Sequence, residues 1–533
     1  MREFAAEPLV QRLIDWGVDT VFGRPGDGPD GVLSAFQRHD DQIRLVIVQH
    51  EEAASFMACG YAKATGKIGV CLAASGPGAI HLLNGLYDAK LDHQPVLAIT
   101  ESPQTRLLGT AFEQELCVDQ VLADVADYNV RVHVPVQIPA VVDIGIGHAM
   151  ARGTVSHITF PWSLEPAAES SRWMVVPATA PPTAPVFVPQ PGLPPSDDLE
   201  RAAAVLNDGD RVATLVGIGG TGATNELLAV ADVLSSPIVK SLPGKAVVPD
   251  DHPLTTGCAG TLGTLPSQEA LADADALLVV GTNFPYTPYA RGLDREAALQ
   301  AVHLEPELAR VGTRKSTEVV LVGDVAETLQ ALLPLLERKQ DRGFLERAQA
   351  AMAAWRNHLT RLEDRGHDLI EPQYLVRTID RLAADDAILC SDSGAMAAWS
   401  ARHFDVRGGR DYLVSANLAA MAAGLPYAVA AQWGHRDRQC IALVTSDGFT
   451  KLMAELLTMV EQRLPVKVVV ADTSMSASFA LWADACGALG LHVEHAGELE
   501  AAVGRALEHH GPALVDVLVN PTEQPRPAVP VDA

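Results

Sequence analysis

One glutamate in this chain stands where a carboxyl can do chemistry. The apolar run Leu45–Val48 ends at His50-Glu51-Glu52-Ala53-Ala54, where a helical pattern begins. A carboxyl at the end of a buried strand can hold or pass a proton to a ligand above the sheet, and the same residue type is favoured at a helix start by the helix dipole. The residues alone favour the helix-start reading for Glu51. A second candidate is the turn Gly217-Ile218-Gly219-Gly220-Thr221-Gly222, which also follows an apolar run. Such a turn lets backbone approach a phosphate, although tight turns need glycine in any case. The cysteines at 59, 71, 117, 258, 390, 440 and 486 are single and odd in number, which gives neither a disulfide framework nor a zinc site. His50 and His93 lack metal-ligand spacing and read as structural histidines, so no metal ligand is assigned.

The elements that must position these residues follow a simple alternation. Leu45–Val48, Gly69–Ala73 and Val96–Thr100 read as buried strands of a first domain. Arg211–Gly217, Ile238–Ser241 and Ala276–Gly281 do so in a second, and Ala387–Ser391, Cys440–Thr445 and Val466–Ala471 in a third. Amphipathic helical patterns separate them. This order predicts an α/β protein of three doubly wound parallel-sheet domains, with ligands beyond the carboxyl ends of strands. The boundaries read as an N-terminal domain over 1–165, a Pro-rich linker over 166–198, a middle domain over 199–335, a helical connector over 336–370 and a C-terminal domain over 371–533.

Composition narrows the partners. Hydrophobic residues make up 48% and charged residues 20%, as in ordinary globular proteins. The formal net charge of -26 argues against a nucleic-acid backbone or an anionic membrane as partner. A small anion remains possible, since backbone N–H groups can bind one. The start Met1-Arg2-Glu3-Phe4 has no apolar signal segment, and no apolar run is long enough to span a bilayer. A reduced cytoplasmic protein with a small-molecule substrate is expected.

Further motifs lie in a telling order: Val21-Phe22-Gly23-Arg24-Pro25-Gly26, the His50–Ala54 segment, Gly60-Tyr61-Ala62, Thr65-Gly66-Lys67, Ser75-Gly76-Pro77-Gly78-Ala79 and Asp92-His93-Gln94-Pro95-Val96. With this order and spacing the chain resembles the thiamine-diphosphate enzyme superfamily over nearly its whole length. Asp124–Val130 (DVADYNV) and Leu262–Glu269 (LGTLPSQE) resemble the pyruvate oxidase and acetolactate synthase branch. The resemblance implies pyrimidine-binding-like, Rossmann-like and diphosphate-binding-like domains in that order. It implies that Glu51 is the activating glutamate, whose hydrogen bond to the aminopyrimidine favours the imino tautomer that generates the ylid. Gln114, with Glu115 beside it, would lie near substrate. Gly26, Ser393, Gly394, Asn417 and Met421 would lie along the cofactor, with Met421 supporting its bent form. Gly219, Gly220, Thr282, Asn283 and Asp324, together with the Lys240–Lys245 segment (KSLPGK), resemble segments that hold flavin adenine dinucleotide in that branch. Many relatives keep this domain without a nucleotide, so FAD stays open. The cofactor in this family lies between the first domain of one subunit and the third of another, which implies a homodimer or homotetramer.

The resemblance breaks at the metal–diphosphate anchor. The family has Gly-Asp-Gly after one strand and Asn-Asn after the next, and the Asp and second Asn bind Mg²⁺. Aligned without a gap, this chain has Ser446 at the aspartate and Asp447 at the following glycine, and the Asn-Asn pair becomes Asp472-Thr473. A helix is expected over Lys451–Arg463. The segment after Thr473 is shortened, and Ala419 replaces a glycine near the pyrimidine. Three explanations compete: altered ligation through hydroxyls, loss of thiamine diphosphate, or a one-residue misalignment that restores Asp447. The reading adopted is a divergent enzyme acting on a small 2-oxo-acid-like molecule, with Mg²⁺ and thiamine diphosphate binding impaired or lost. The alternatives are a working thiamine-diphosphate decarboxylase, oxidase or carboligase with altered metal ligation, and a non-catalytic binding subunit.

Overall fold

The computed structural model describes residues 6–26, 32–161, 192–283, 299–308, 311, 317–363, 369–473 and 478–525. Most of the Pro-rich linker lies outside them, as does the start of the shortened segment after Thr473. The first sheet contains β1 (Thr20–Arg24), β2 (Arg44–Ile47), β3 (Gly69–Ala73), β4 (Val96–Ser102), β5 (Tyr128–Arg131) and β6 (Val155–Pro161). The second contains β7 (Val212–Val216), β8 (Ile238–Lys240), β9 (Thr255–Cys258), β10 (Ala276–Val280), β11 (Gln300–Glu305) and β12 (Val319–Val322). The third contains β13 (Ile388–Ser391), β14 (Asp411–Val414), β15 (Cys440–Thr445), β16 (Lys467–Asp472), β17 (Leu489–Val493) and β18 (Ala513–Leu518).

The three doubly wound sheets expected from the sequence are present. Their orders are β2-β1-β3-β4-β6-β5, β12-β11-β10-β7-β8-β9 and β14-β13-β15-β16-β18-β17, with every pairing parallel. Strands such as β7 (VATLV) and β10 (ALLVV) are buried along their whole length, because helices cover both faces. Each sheet winds outward in both directions from its first strand. The resulting switch points, where loops part to leave a crevice, fall between β1 and β3, β7 and β10, and β13 and β15.

The two outer domains share one apolar core. The Glu51–Thr65 helix and the Gly424–Gly434 helix lie against each other, and each buries nearly all of its interior residues. A helix apolar on every side belongs inside a protein, and here each supplies the other's cover. Small residues permit the close crossing. A Cβ on Gly60 would lie 2.8 Å from Tyr427 Cδ1 and 2.9 Å from its Cα, and one on Gly434 would lie 2.5 Å from Thr65 Cγ2. The crossing is pinned by buried charge. Lys63 Nζ donates to Asp92 Oδ2 at 2.7 Å, to Tyr427 OH at 2.7 Å and to Val414 O at 2.9 Å. Ser415 Oγ donates to Asp88 Oδ1 at 2.6 Å, and Tyr427 OH donates to Asp88 Oδ2. Burial alone would lower the Lys63 pKa, but Asp88 and Asp92 more than offset it and hold the ammonium charged.

The middle domain is fixed to the third by another buried ion cluster. Lys240 and Lys245 each reach Asp250 at 2.6 Å, Lys245 Nζ also donates to Ala401 O at 3.0 Å, and Val406 N–H donates to Asp250 at 2.8 Å. Both lysines of the KSLPGK segment are therefore engaged inside the protein. Among the described residues, no helix is long and apolar enough to cross a membrane. The Gly60 contact is with backbone as well as ring, so it cannot give way easily. Gly60→Val is expected to destabilise the protein by about 1–3 kcal/mol. A melting temperature equal to wild type would show that the crossing tolerates the added methyls.

Candidate functional site

The first rim of the site is built where β2 hands over to the Glu51–Thr65 helix. His50 caps that helix, its Nδ1 accepting the Glu52 N–H at 3.2 Å, and Glu51 opens the first turn. Glu51 Oε2 meets His81 Nδ1 at 2.9 Å, and the His81 ring stacks on His50 with centroids 4.5 Å apart. A Cβ on Gly78 would lie 3.2 Å from Glu51 Oε1, so glycine there leaves the carboxyl room. Gln114 adjoins this group: its Oε1 accepts from Ser75 Oγ at 3.3 Å, and its Cβ would be 2.9 Å from a Cβ on Gly76. Glu51, His81, Gly78, Gly76 and Gln114 thus form one continuous surface. Glu115 instead closes its own loop by accepting the N–H groups of Gly109 and Phe112, which lower its pKa. Gly26 lies at the β1/β3 switch point, its N–H donating to Glu101 at 3.0 Å.

His50, Glu51 and His81 bring ligand-type atoms within 4.8 Å of one another. The helix cap decides their chemistry. Since His50 Nδ1 accepts a backbone N–H, its neutral ring carries the proton on Nε2 and presents a donor rather than a metal-binding lone pair.

Behind this rim stands a residue of the third domain. Glu455, fully buried, accepts the Gln49 N–H at 3.0 Å and the His50 N–H at 2.9 Å through Oε1, and the Thr458 hydroxyl at 2.7 Å through Oε2. Burial pushes its carboxyl up to about 7, against these hydrogen bonds and the field of Arg24, which favour the ionised form.

The second rim lies at the β13/β15 switch point. Ser393 Oγ donates to Ser415 O at 2.7 Å, and Gly394, at φ 80°, leads into the Ala395–His403 helix with open space where a side chain would be. The helix expected over Lys451–Arg463 starts earlier and is divided. Thr445 caps a helix over Ser446–Leu452 by accepting the Gly448 N–H at 3.0 Å, and a second helix spans Glu455–Glu461. This puts Ser446 in a buried first position and turns Asp447 outward to solvent. Thr473 is exposed at the end of β16. Asp392 is enclosed, accepting the N–H groups of Gly424 at 3.0 Å and Thr445 at 3.3 Å; burial pushes its pKa up to about 6. Asn417 is tied to the first domain, its side-chain amide donating to Leu91 O at 3.0 Å and Asp92 Oδ1 at 2.8 Å. Met421 is exposed, with Lys451 Nζ 4.0 Å from its sulfur. Ala419 and Ala422 flank it at φ 55° and 75°, a region where an L side chain is strained.

The fit to a hard divalent cation can be tested on these atoms. Such an ion takes anionic oxygen first. The two strand ends offer the hydroxyls of Ser446 and Thr473 at the ligand positions, while Asp447 is exposed beside Ser446, Asp472 is buried at the end of β16 and Asp392 is spent on backbone N–H groups. The described donor set does not suit Mg²⁺ bridging a diphosphate.

Gly219, Gly220, Thr282 and Asn283 lie together at the β7/β10 switch point. Here glycine is required by packing: a Cβ on Gly217 would lie 2.3 Å from Thr282 Cβ, and one on Gly219 would lie 2.7 Å from Gly281 Cα. Asn283 Oδ1 is buried with no hydrogen-bond partner among the described residues, an acceptor that a ligand's donor could satisfy. Asp324 caps the Val325–Leu332 helix by accepting the Glu327 N–H at 2.9 Å.

Three family models match the chain in the order of its sheets. The thiamine pyrophosphate enzyme N-terminal TPP binding domain matches residues 4–123, the central domain 199–332 and the C-terminal TPP binding domain 392–477. The chain belongs to the thiamine pyrophosphate enzyme family. YdaP of Bacillus subtilis (strain 168), named as a thiamine pyrophosphate-containing protein, is 36% identical, covering 98% of this chain and 92% of its own length. A pyruvate oxidase of Lactiplantibacillus plantarum is 31% identical over 87% of this chain and 76% of its own. Acetolactate synthase 1 of Nicotiana tabacum is 28% identical over 98% of this chain and 83% of its own. The chain is thus a member of the pyruvate oxidase and acetolactate synthase-like branch.

His81 and Glu455 were not singled out in the sequence, and Asp392 only as part of the turn with Ser393 and Gly394. His81 had a usable signal, since it falls two residues after the Ser75–Ala79 motif that frames Glu51. Glu455 had none, because its partners are backbone groups 405 and 406 positions away.

Two consequences can be measured. Ala419→Gly and Ala422→Gly should each stabilise the protein by about 0.5–1 kcal/mol, as relief of strain exceeds the entropy of glycine. A loss of stability in both would refute the strain. For Glu455, the folded chain keeps its proton between the ordinary value of 4.5 and about 7, where the unfolded chain has lost it. Stability from this group is therefore full below that window and falls as pH rises through it. Between about pH 5 and about pH 8, Glu455→Gln should gain on wild type by on the order of 2 kcal/mol. Denaturation curves that keep a constant separation across this range would contradict the assignment.

Proposed function

We propose that this protein is a divergent family member acting on a small 2-oxo-acid-like molecule, with the conventional Mg²⁺–thiamine diphosphate anchor impaired or lost. The site is a cleft between the N-terminal domain of one copy and the C-terminal domain of another, in a homodimer or homotetramer. The donor set at the ends of β15 and β16 carries this reading. Ser446 and Thr473 are neutral, and Asp447 without a cation would repel a diphosphate. The opposite rim supports continued chemistry. Glu51 keeps a half-sheltered carboxyl beside His81, so a proton can be held or moved at Oε2, and Gln114 presents an amide that can orient a polar group.

A second reading has one specific observation behind it. The Glu51 rim is complete, and hydroxyls do ligate Mg²⁺ in phosphate loops, which suits a working thiamine-diphosphate decarboxylase, oxidase or carboligase with altered metal ligation. FAD in the middle domain rests on Asn283 and would show as flavin absorbance in purified protein.

Calorimetric titration separates the two main readings. Thiamine diphosphate with Mg²⁺ is expected to give no tight saturable binding; strong Mg²⁺-dependent binding would overturn the proposal. The combined change Ser446→Asp, Asp447→Gly and Thr473→Asn should then increase affinity. Equal titrations for wild type and the triple variant would move the defect away from these three positions.

A further inference from the structure

We infer that Glu455, on the C-terminal domain, is a positioning residue that aims Glu51 from behind. The inference rests on the reading that Glu51 is the acting carboxyl of the site. β2 is an edge strand and ends at Ile47, so the chain has three residues in which to leave the sheet and begin a helix at Glu51. In that turn the Gln49 and His50 N–H groups both donate to one oxygen of Glu455. The other oxygen is held by Thr458 Oγ1 one turn along its own helix. Glu455 has no exposed surface, so water cannot take its place.

The turn is held from two further directions. His50 caps the Glu52 N–H, and Arg24, at the end of β1, reaches Val48 O at 3.4 Å. Arg24 is also the charged group from the first domain that faces Glu455. The geometry is therefore over-determined at the residue before Glu51, while the Glu51 side chain hydrogen-bonds His81. Moving the turn moves Glu51 and its bond to His81. Glu455 also belongs to the helix that directly follows Ser446–Leu452, so the altered rim and the retained rim are joined within one chain by this carboxyl.

The test uses full-length ligand-free protein. Hydrogen exchange is followed at the segment containing Gln49 and His50, and the His81 ring is followed by NMR of histidine-labelled protein, assigned with His81→Gln. Glu455→Ala should raise exchange in that segment by roughly tenfold or more and shift the His81 signal. Glu455→Gln keeps an oxygen acceptor and should restore both, a rescue that simple loss of packing would not require. Thr458→Ala, which leaves Glu455 in place, should shift His81 by a smaller amount and serves as the deciding variant if Glu455→Ala does not fold. Wild-type exchange together with an unmoved His81 signal in Glu455→Ala, or in Thr458→Ala where that variant decides, would overturn the inference. So would a folded Glu455→Gln that fails to restore them. None of these readings needs thiamine diphosphate or Mg²⁺, so failure of the proposed function in calorimetry leaves the result interpretable.

Discussion

At Gly60 the Glu51–Thr65 helix meets the Gly424–Gly434 helix with too little space for even one methyl group, and the rest of the arrangement follows from that contact. The same two helices begin at the two rims. One starts with Glu51; the other starts at Gly424, whose N–H holds Asp392. Because their sides fuse into one core, the N-terminal and C-terminal sheets cannot be treated as beads on a linker. The buried Lys63, Asp88 and Asp92 make the crossing specific as well as tight, since breaking one partner would leave charge stranded in an apolar seam.

The sequence was most legible where chemistry was least varied. Nine strands could be read because they are runs dominated by apolar residues, most of them buried along their length, and all nine are present within a residue or two. Strands at sheet edges, such as β5 (YNVR), β14 (DYLV) and β17 (LGLHV), mix polar residues into short segments and carry no such pattern. β1 (TVFGR) is hidden for a different reason: its Gly23 is forced by the backbone of β3, where a Cβ would come within 2.2 Å of Leu72 O. The helix near Lys451 was misplaced because Thr445, a strand residue by pattern, doubles as a cap.

For the site, motif order located each switch point but could not distribute roles among neighbours. Gly26, Ser393, Gly394, Ser446 and Asp447 fall at strand ends as the alternation requires. Asn417 and Asp324 read equally well as ligand contacts, yet their described hydrogen bonds are spent on Asp92, Leu91 and a helix start. Lys240 and Lys245 fall in a segment that resembles a flavin-holding one, and they are buried against Asp250. For Asn417 the deciding partners are 325 and 326 positions away, where spacing gives no information; for Asp324, Lys240 and Lys245 the partners are near in sequence, and residue type alone does not separate a helix cap or a buried ion pair from a ligand contact.

The turn after β15 has one more property. Gly448 lies so close to Asp392 that a Cβ would approach its carboxyl oxygen to 2.0 Å, and Asp392 draws N–H groups from both sides of the crevice. This lock uses none of the side chains at 446, 447 and 473. A loop whose shape is fixed from beneath can exchange its outward residues without losing its form. The outline of this crevice is therefore set by the fold beneath it, while what it can hold is set by a few side chains on its surface.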